Sequence, residues 1–163
     1  MDIFDFAMKT EIEGISFYKQ LSLSADNKGL KTIFNWLAEE EEKHYEVFKK
    51  MKTDETASYQ ASLILNKVKT LFEEISESND ILDVNNNQVD LYKKAQDLEQ
   101  KTKSFYESKA QEVTNQKQKE TLLEIAKEEG RHYFLMESII NFVSRPKEWV
   151  ENSEFNHLED YYE

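Results

Sequence analysis

Apolar residues recur three and four positions apart through most of this chain, a spacing that gives each segment one face to bury as a helix. Phe34, Leu37, Ala38, Tyr45 and Phe48 form one such stripe, and Leu122, Ile125, Ala126, Tyr133 and Met136 form another. The pattern predicts a helix over about 2–23, a turn at Ala25-Asp26-Asn27-Lys28-Gly29, and a second helix to about 52. Two more helices are expected over about 89–112 and 116–143, broken at Asn115 and ended before Pro146, whose ring cannot continue a helix. At 1.5 Å per residue each would be roughly 33–42 Å long, the scale of an extended bundle.

Residues 53–88 must join the two hairpins. Leu63, Leu65, Val68, Leu71 and Phe72 predict a short crossover helix within 57–75, followed by a polar loop over 76–87. The expectation is an all-α protein, an antiparallel four-helix bundle of two hairpins with a long crossover connection. Residues 1–145 form the bundle in this reading, with repeat halves about 2–52 and 89–143, and 146–163 form a C-terminal tail packed on it.

Composition narrows the function more than the fold. Three glycines and one proline are too few for the many turns of a sandwich or barrel, and 163 residues suit a single domain. The absence of cysteine excludes disulfides, iron-sulfur clusters, thiolate zinc sites and a cysteine nucleophile, so metal chemistry must use oxygen and imidazole. A net charge of -12 argues against nucleic acid or an anionic membrane as partner and favours cations. With no apolar run of about 20 residues and no basic, apolar leader, the chain is expected to be soluble and cytoplasmic.

The sequence repeats itself without a gap at an offset of 88, the separation of Glu11 from Glu99. Identical pairs include Asp2/Asp90, Ser16/Ser104, Phe17/Phe105, Tyr18/Tyr106, Asn27/Asn115, Glu40/Glu128, Glu41/Glu129, His44/His132 and Tyr45/Tyr133. Few of these are apolar, so shared core packing does not explain the match. In each second helix a Glu precedes a His by three residues, as Glu41-Glu42-Lys43-His44 and Glu129-Gly130-Arg131-His132, which sets carboxylate and imidazole on one helical face. Each first helix supplies one carboxylate, Glu11 or Glu99, with Tyr18 or Tyr106 two turns further on the same stripe. Four carboxylates and two imidazoles without sulfur suit a pair of iron or manganese ions, and zinc also fits. Buried together without cations they would be very costly.

A third Glu-x-x-His, Glu154-Phe155-Asn156-His157, has no repeat partner and reads as structural. The run Glu39–Glu42 reads mostly as a solvated face, with Glu41 alone taken as a ligand. Tyr18 and Tyr106 either donate hydrogen bonds to ligand carboxylates or fill the core, and both readings stay open. Phe17, Phe105, Trp36, Trp149, Tyr45 and Tyr133 read as packing residues.

Through the paired Glu, Phe-Tyr and Glu-x-x-His elements the sequence resembles the rubrerythrin-like branch of the ferritin-like diiron-carboxylate family, over nearly the whole chain and including the close SRPKEWVENSEFNHLEDYY. The resemblance implies two metal ions per chain, held by Glu11, Glu41, His44, Glu99, Glu129 and His132, and reduction of hydrogen peroxide. Two departures matter. The cysteine-ligated rubredoxin domain has no counterpart here, which implies an external electron donor such as a rubredoxin-like protein or a flavoprotein reductase. The additional carboxylate that rubrerythrin carries one turn after its third-helix Glu is replaced by Thr102, leaving a simpler, ferritin-like ligand set. Oxidation and handling of iron with oxygen is the alternative function, and a metal-stabilised interaction module is a third. A homodimer, with a hairpin exchanged through the long connector, is the expected assembly.

Overall fold

A computed structural model describes residues 2–78 and 84–144. The described residues are helical, without strands, in five elements: α1 (Ile3–Ser24), α2 (Lys28–Met51), α3 (Ile64–Glu77), α4 (Asn86–Ala110) and α5 (Gln116–Ser144). The helices α1 and α2 pack closely as one hairpin and α4 and α5 as the other, with the two hairpins meeting along α1/α4 and α2/α5.

Local chemistry sets the helix starts. Asp2 accepts a hydrogen bond from the Asp5 amide at 2.8 Å, and Asn27 accepts one from the Leu30 amide at 3.1 Å, each satisfying an otherwise unpaired first-turn donor. The repeat reproduces the second cap, Asn115 accepting from the Gln118 amide at 2.9 Å. It does not reproduce the first. Asp90 lies inside α4, because Asn85 caps that helix through the Gln88 amide at 2.9 Å and so starts it a turn earlier than the repeat suggests.

The crossover helix starts at Ile64, later than the apolar pattern implied, and extends to Glu77, into the segment expected as loop. Residues 57–63 instead run without helix past α2 and α5. Thr121 Oγ1 donates to the Ala57 carbonyl at 3.2 Å, and the Ser62 amide donates to Glu128 Oε2 at 3.4 Å, so α5 ties this strap down at both of these backbone groups. The start of α2 lies close under α3: a β-carbon placed on Gly29 would fall 2.3 Å from Ile75 Cδ1.

The core is divided. One apolar cluster gathers Leu21, Ile33, Phe34 and Leu37 with Val68 and Phe72 of α3, Tyr92, Ile139 and Phe142. The other gathers Ala7, Phe48, Met51, Tyr106, Ala110, Leu122 and Ile125. Between them the bundle interior is polar. Trp36 is only half-buried, as are Phe17, Phe105, Tyr45 and Tyr133. Glu154, His157 and Trp149, and the expected packing of the 146–163 tail, lie outside the described residues.

Candidate metal centre

The polar belt contains Glu11, Glu41, His44, Glu99, Glu129 and His132, every one at most 4 % exposed. All six positions singled out by the repeat therefore converge. Their helical registers explain it: each Glu-x-x-His pair shares an inward face of α2 or α5, while Glu11 and Glu99 face them from α1 and α4.

The donors sort into two groups. Glu11, Glu41, His44 and Glu129 can each offer one ligand atom within 4.8 Å of the others, and so can Glu41, Glu99, Glu129 and His132. Glu41 and Glu129 belong to both groups, whereas Glu11 and Glu99 each belong to one. His44 Nδ1 lies 2.8 Å from Glu129 Oε1, 3.3 Å from Glu41 Oε2 and 3.5 Å from Glu11 Oε2. His132 Nδ1 lies 3.2 Å from Glu41 Oε1, 3.5 Å from Glu99 Oε1 and 3.7 Å from Glu129 Oε2. The two imidazoles are nearly parallel, at 16°, with centroids 5.7 Å apart.

These groups suit a cation better than one another. His44 Nδ1 and Glu129 Oε1 make no hydrogen bond despite their closeness. A buried donor set that leaves such atoms unsatisfied calls for an occupant. Four carboxylate charges would balance two divalent cations, and the oxygen and nitrogen donors suit iron or manganese. The residues thus fit the metal that the resemblance implies.

Without a cation, protons do the balancing. Burial pushes Glu11 well above the usual carboxylate range, and the neighbouring Glu41 charge adds to it. Burial likewise lifts Glu129, to about 8, reinforced by Glu99 and Glu11. Burial would raise Glu99 too, but hydrogen bonds from Glu129, His132 and Tyr18 outweigh it and hold that carboxyl low. Burial alone would lower both imidazoles, yet Glu11 and Glu129 raise His44 and Glu99 raises His132, each well above its ordinary value.

Tyr18 and Tyr106 are hydrogen-bond donors to Glu99 and Glu11, and they cross between copies. The Tyr18 hydroxyl donates to Glu99, and the Tyr106 hydroxyl donates to Glu11 Oε1 at 2.5 Å. Burial, then the nearby carboxylates, keeps both phenols protonated. A cavity of about 20 Å³ opens between α1 and α4, walled by Thr10, Gly14, Phe17, Leu98 and Thr102 and floored by Glu11, Glu41, Glu99 and Glu129. It is large enough for one water-sized molecule.

Three polar residues behind the centre escaped the sequence reading. Glu40 and Glu128 are buried, so half of the Glu39–Glu42 run is interior rather than solvated. Their signal was present, since they are an identical pair in the repeat. Tyr59 lies 3.2 Å from His44 Nε2, and nothing in the sequence marks it, because the connector has no second copy to compare.

No helix among the described residues is long and apolar enough to cross a membrane. Neither a curated protein nor a solved structure gives a significant match to the chain. A family profile, that of rubrerythrin, matches residues 2–140. Profile, helical bundle and buried donor set agree, and the chain belongs to the rubrerythrin family of ferritin-like diiron proteins.

Proposed function

We propose that the centre holds two iron ions and reduces hydrogen peroxide to water with electrons from an external donor. The observation that carries this reading is the pair of four-donor groups sharing Glu41 and Glu129. Two adjacent irons, when bound, supply the two electrons needed to cleave an oxygen–oxygen bond, and the overall balance is one peroxide, two protons and two electrons to two waters.

The protein's own residues create the conditions. Glu41 and Glu129, members of both donor groups, would be shared between two cations, while Glu11 and Glu99 would each serve one. Tyr106 and Tyr18 orient those terminal carboxylates and are the nearest O–H donors to them, placed to lend a proton across the hydrogen bond. The apolar clusters on either side keep bulk water out of the bundle interior. The cavity of about 20 Å³ lined by Gly14 and Thr102 beside these carboxylates has room for a molecule about the size of peroxide or dioxygen.

A second reading, oxidation of Fe(II) by oxygen with release of Fe(III), is favoured by Thr102, which removes the extra carboxylate of rubrerythrin and leaves the simpler donor set. Stopped-flow mixing of the iron-loaded protein with peroxide and, separately, with oxygen tests the choice. Much faster oxidation by peroxide is expected. Faster oxidation by oxygen, with iron uptake continuing past two per chain, would support iron handling instead.

A further inference from the structure

The internal repeat makes His44 and His132 controls for each other. They occupy equivalent positions and both turn Nδ1 toward the shared carboxylates. Their outer nitrogens face different chemistry.

Behind His44 stands a neutral phenol. Tyr59 Oη lies 3.2 Å from Nε2, with the two rings edge to face at 5.0 Å between centroids. Tyr59 belongs to the 57–63 strap, the part of the chain without a copy. Behind His132 stand two carboxylates. Glu128 Oε1 is 3.8 Å from Nε2, and Glu40 completes a group whose donor atoms lie within 4.8 Å of one another. Glu40 and Glu128 are 5 % and 0 % exposed. One oxygen of each is held by a cation one turn along its helix, Lys43 Nζ at 3.2 Å from Glu40 Oε1 and Arg131 Nη1 at 2.9 Å from Glu128 Oε2. The other oxygens, Glu40 Oε2 and Glu128 Oε1, make no hydrogen bond, and neither does His132 Nε2.

An imidazole that binds a cation through Nδ1 carries its hydrogen on Nε2, and a carboxylate facing that N–H makes the ring a stronger donor to the metal. At a buried site the effect is weakly screened, so it persists at a few ångströms. A phenol oxygen facing the same hydrogen exerts much less pull.

We propose that the two metal positions are inequivalent: the one served by His132 fills first and binds more tightly, with Glu128 and Glu40 acting through that imidazole as positioning residues, and Tyr59 in the weaker role at His44. The inference rests on the reading that both donor groups take a metal ion.

Calorimetric titration of the metal-stripped full-length chain with Co(II) tests it. The wild type should bind in two one-ion steps separated about 10- to 100-fold in affinity. Glu128→Gln should weaken the tighter step by about 10-fold or more and leave the other in place. Because that change also breaks the Arg131 ion pair, Glu40→Gln, which keeps it, should weaken the same step on its own. Tyr59→Phe should move only the weaker step. Two steps of equal affinity, or Glu128→Gln and Tyr59→Phe acting on the same step, would overturn the inference while leaving two-ion binding intact. A chain that binds no Co(II) would remove both the inference and the functional reading beneath it.

Discussion

Tyr106 reaches across the bundle to Glu11, its hydroxyl donating to Oε1 at 2.5 Å, and Tyr18 returns the same contact to Glu99. Each copy of the repeat therefore orients a buried carboxylate of the other, and the hairpins are coupled at the centre itself. Removing one hydroxyl leaves a buried carboxylate with one donor fewer. Tyr106→Phe should lower metal affinity at the Glu11 position about tenfold and slow peroxide turnover while the fold persists. Metal titration alongside circular dichroism checks this, and an unchanged affinity would reduce the tyrosine to a packing residue.

Shared and terminal ligands should behave differently. Glu41 belongs to both donor groups, so Glu41→Ala should empty both positions, whereas Glu11→Ala should lose one ion and keep the other. His132→Ala should lose the ion on its own side, and His157→Ala should change nothing. Metal content per chain by atomic emission separates these cases. Equal losses from Glu41→Ala and Glu11→Ala would contradict the bridging assignment.

The opening past Gly14 should control access without affecting loading. A β-carbon at Gly14 would sit 3.5 Å from Glu41 Cγ, ordinary contact, so the position tolerates a small side chain. Gly14→Val adds branched bulk at the wall of the cavity. It should reduce the rate of oxidation by peroxide about tenfold or more, on the scale of about 1.4 kcal/mol per decade, with metal stoichiometry unchanged. Stopped-flow traces at matched iron content are the measurement. A rate equal to wild type would place the path elsewhere.

Protonation replaces cations in the metal-free protein, and the sign of its pH dependence follows. Glu129 is lifted from 4.5 to about 8 by burial and by the Glu99 and Glu11 charges, so its contribution to stability is complete below about 4.5 and is lost as pH rises through 8. His44 and His132, also raised, lose their contributions as pH climbs above 6.5. Glu99, held low, contributes above 4.5 and fails only as pH falls further. The melting temperature of metal-free protein should therefore drop between pH 5 and pH 8. The gap between loaded and metal-free protein should widen over the same range, because ligation requires the proton-free forms. Differential scanning calorimetry at four pH values decides it, and a metal-free melting temperature that rises with pH would contradict the charge assignment.

The sequence carried the inner centre because duplication wrote it twice: Glu11, Glu41 and His44 are matched residue for residue by Glu99, Glu129 and His132. Helical spacing located four of the helices for the same kind of reason, since one buried face imposes a period. What it did not carry is the part built from single instances. The connector's apolar residues suggested a helix from 57, yet the Ala57 carbonyl and the Ser62 amide take Thr121 and Glu128 across the bundle as partners, a choice only tertiary contact can make. Tyr59 behind His44 was hidden by the same lack of a copy. Glu40 was visible as a repeat pair with Glu128, but a run of four glutamates looks solvated until the register shows that its second and third members turn inward.

The two donor groups that share Glu41 and Glu129 should take up two iron ions per chain. Anaerobic titration of metal-stripped protein with Fe(II), followed by equilibrium dialysis, counts them. Saturation at two ions per chain is the predicted result, and saturation at one ion or the absence of stoichiometric binding would contradict the account.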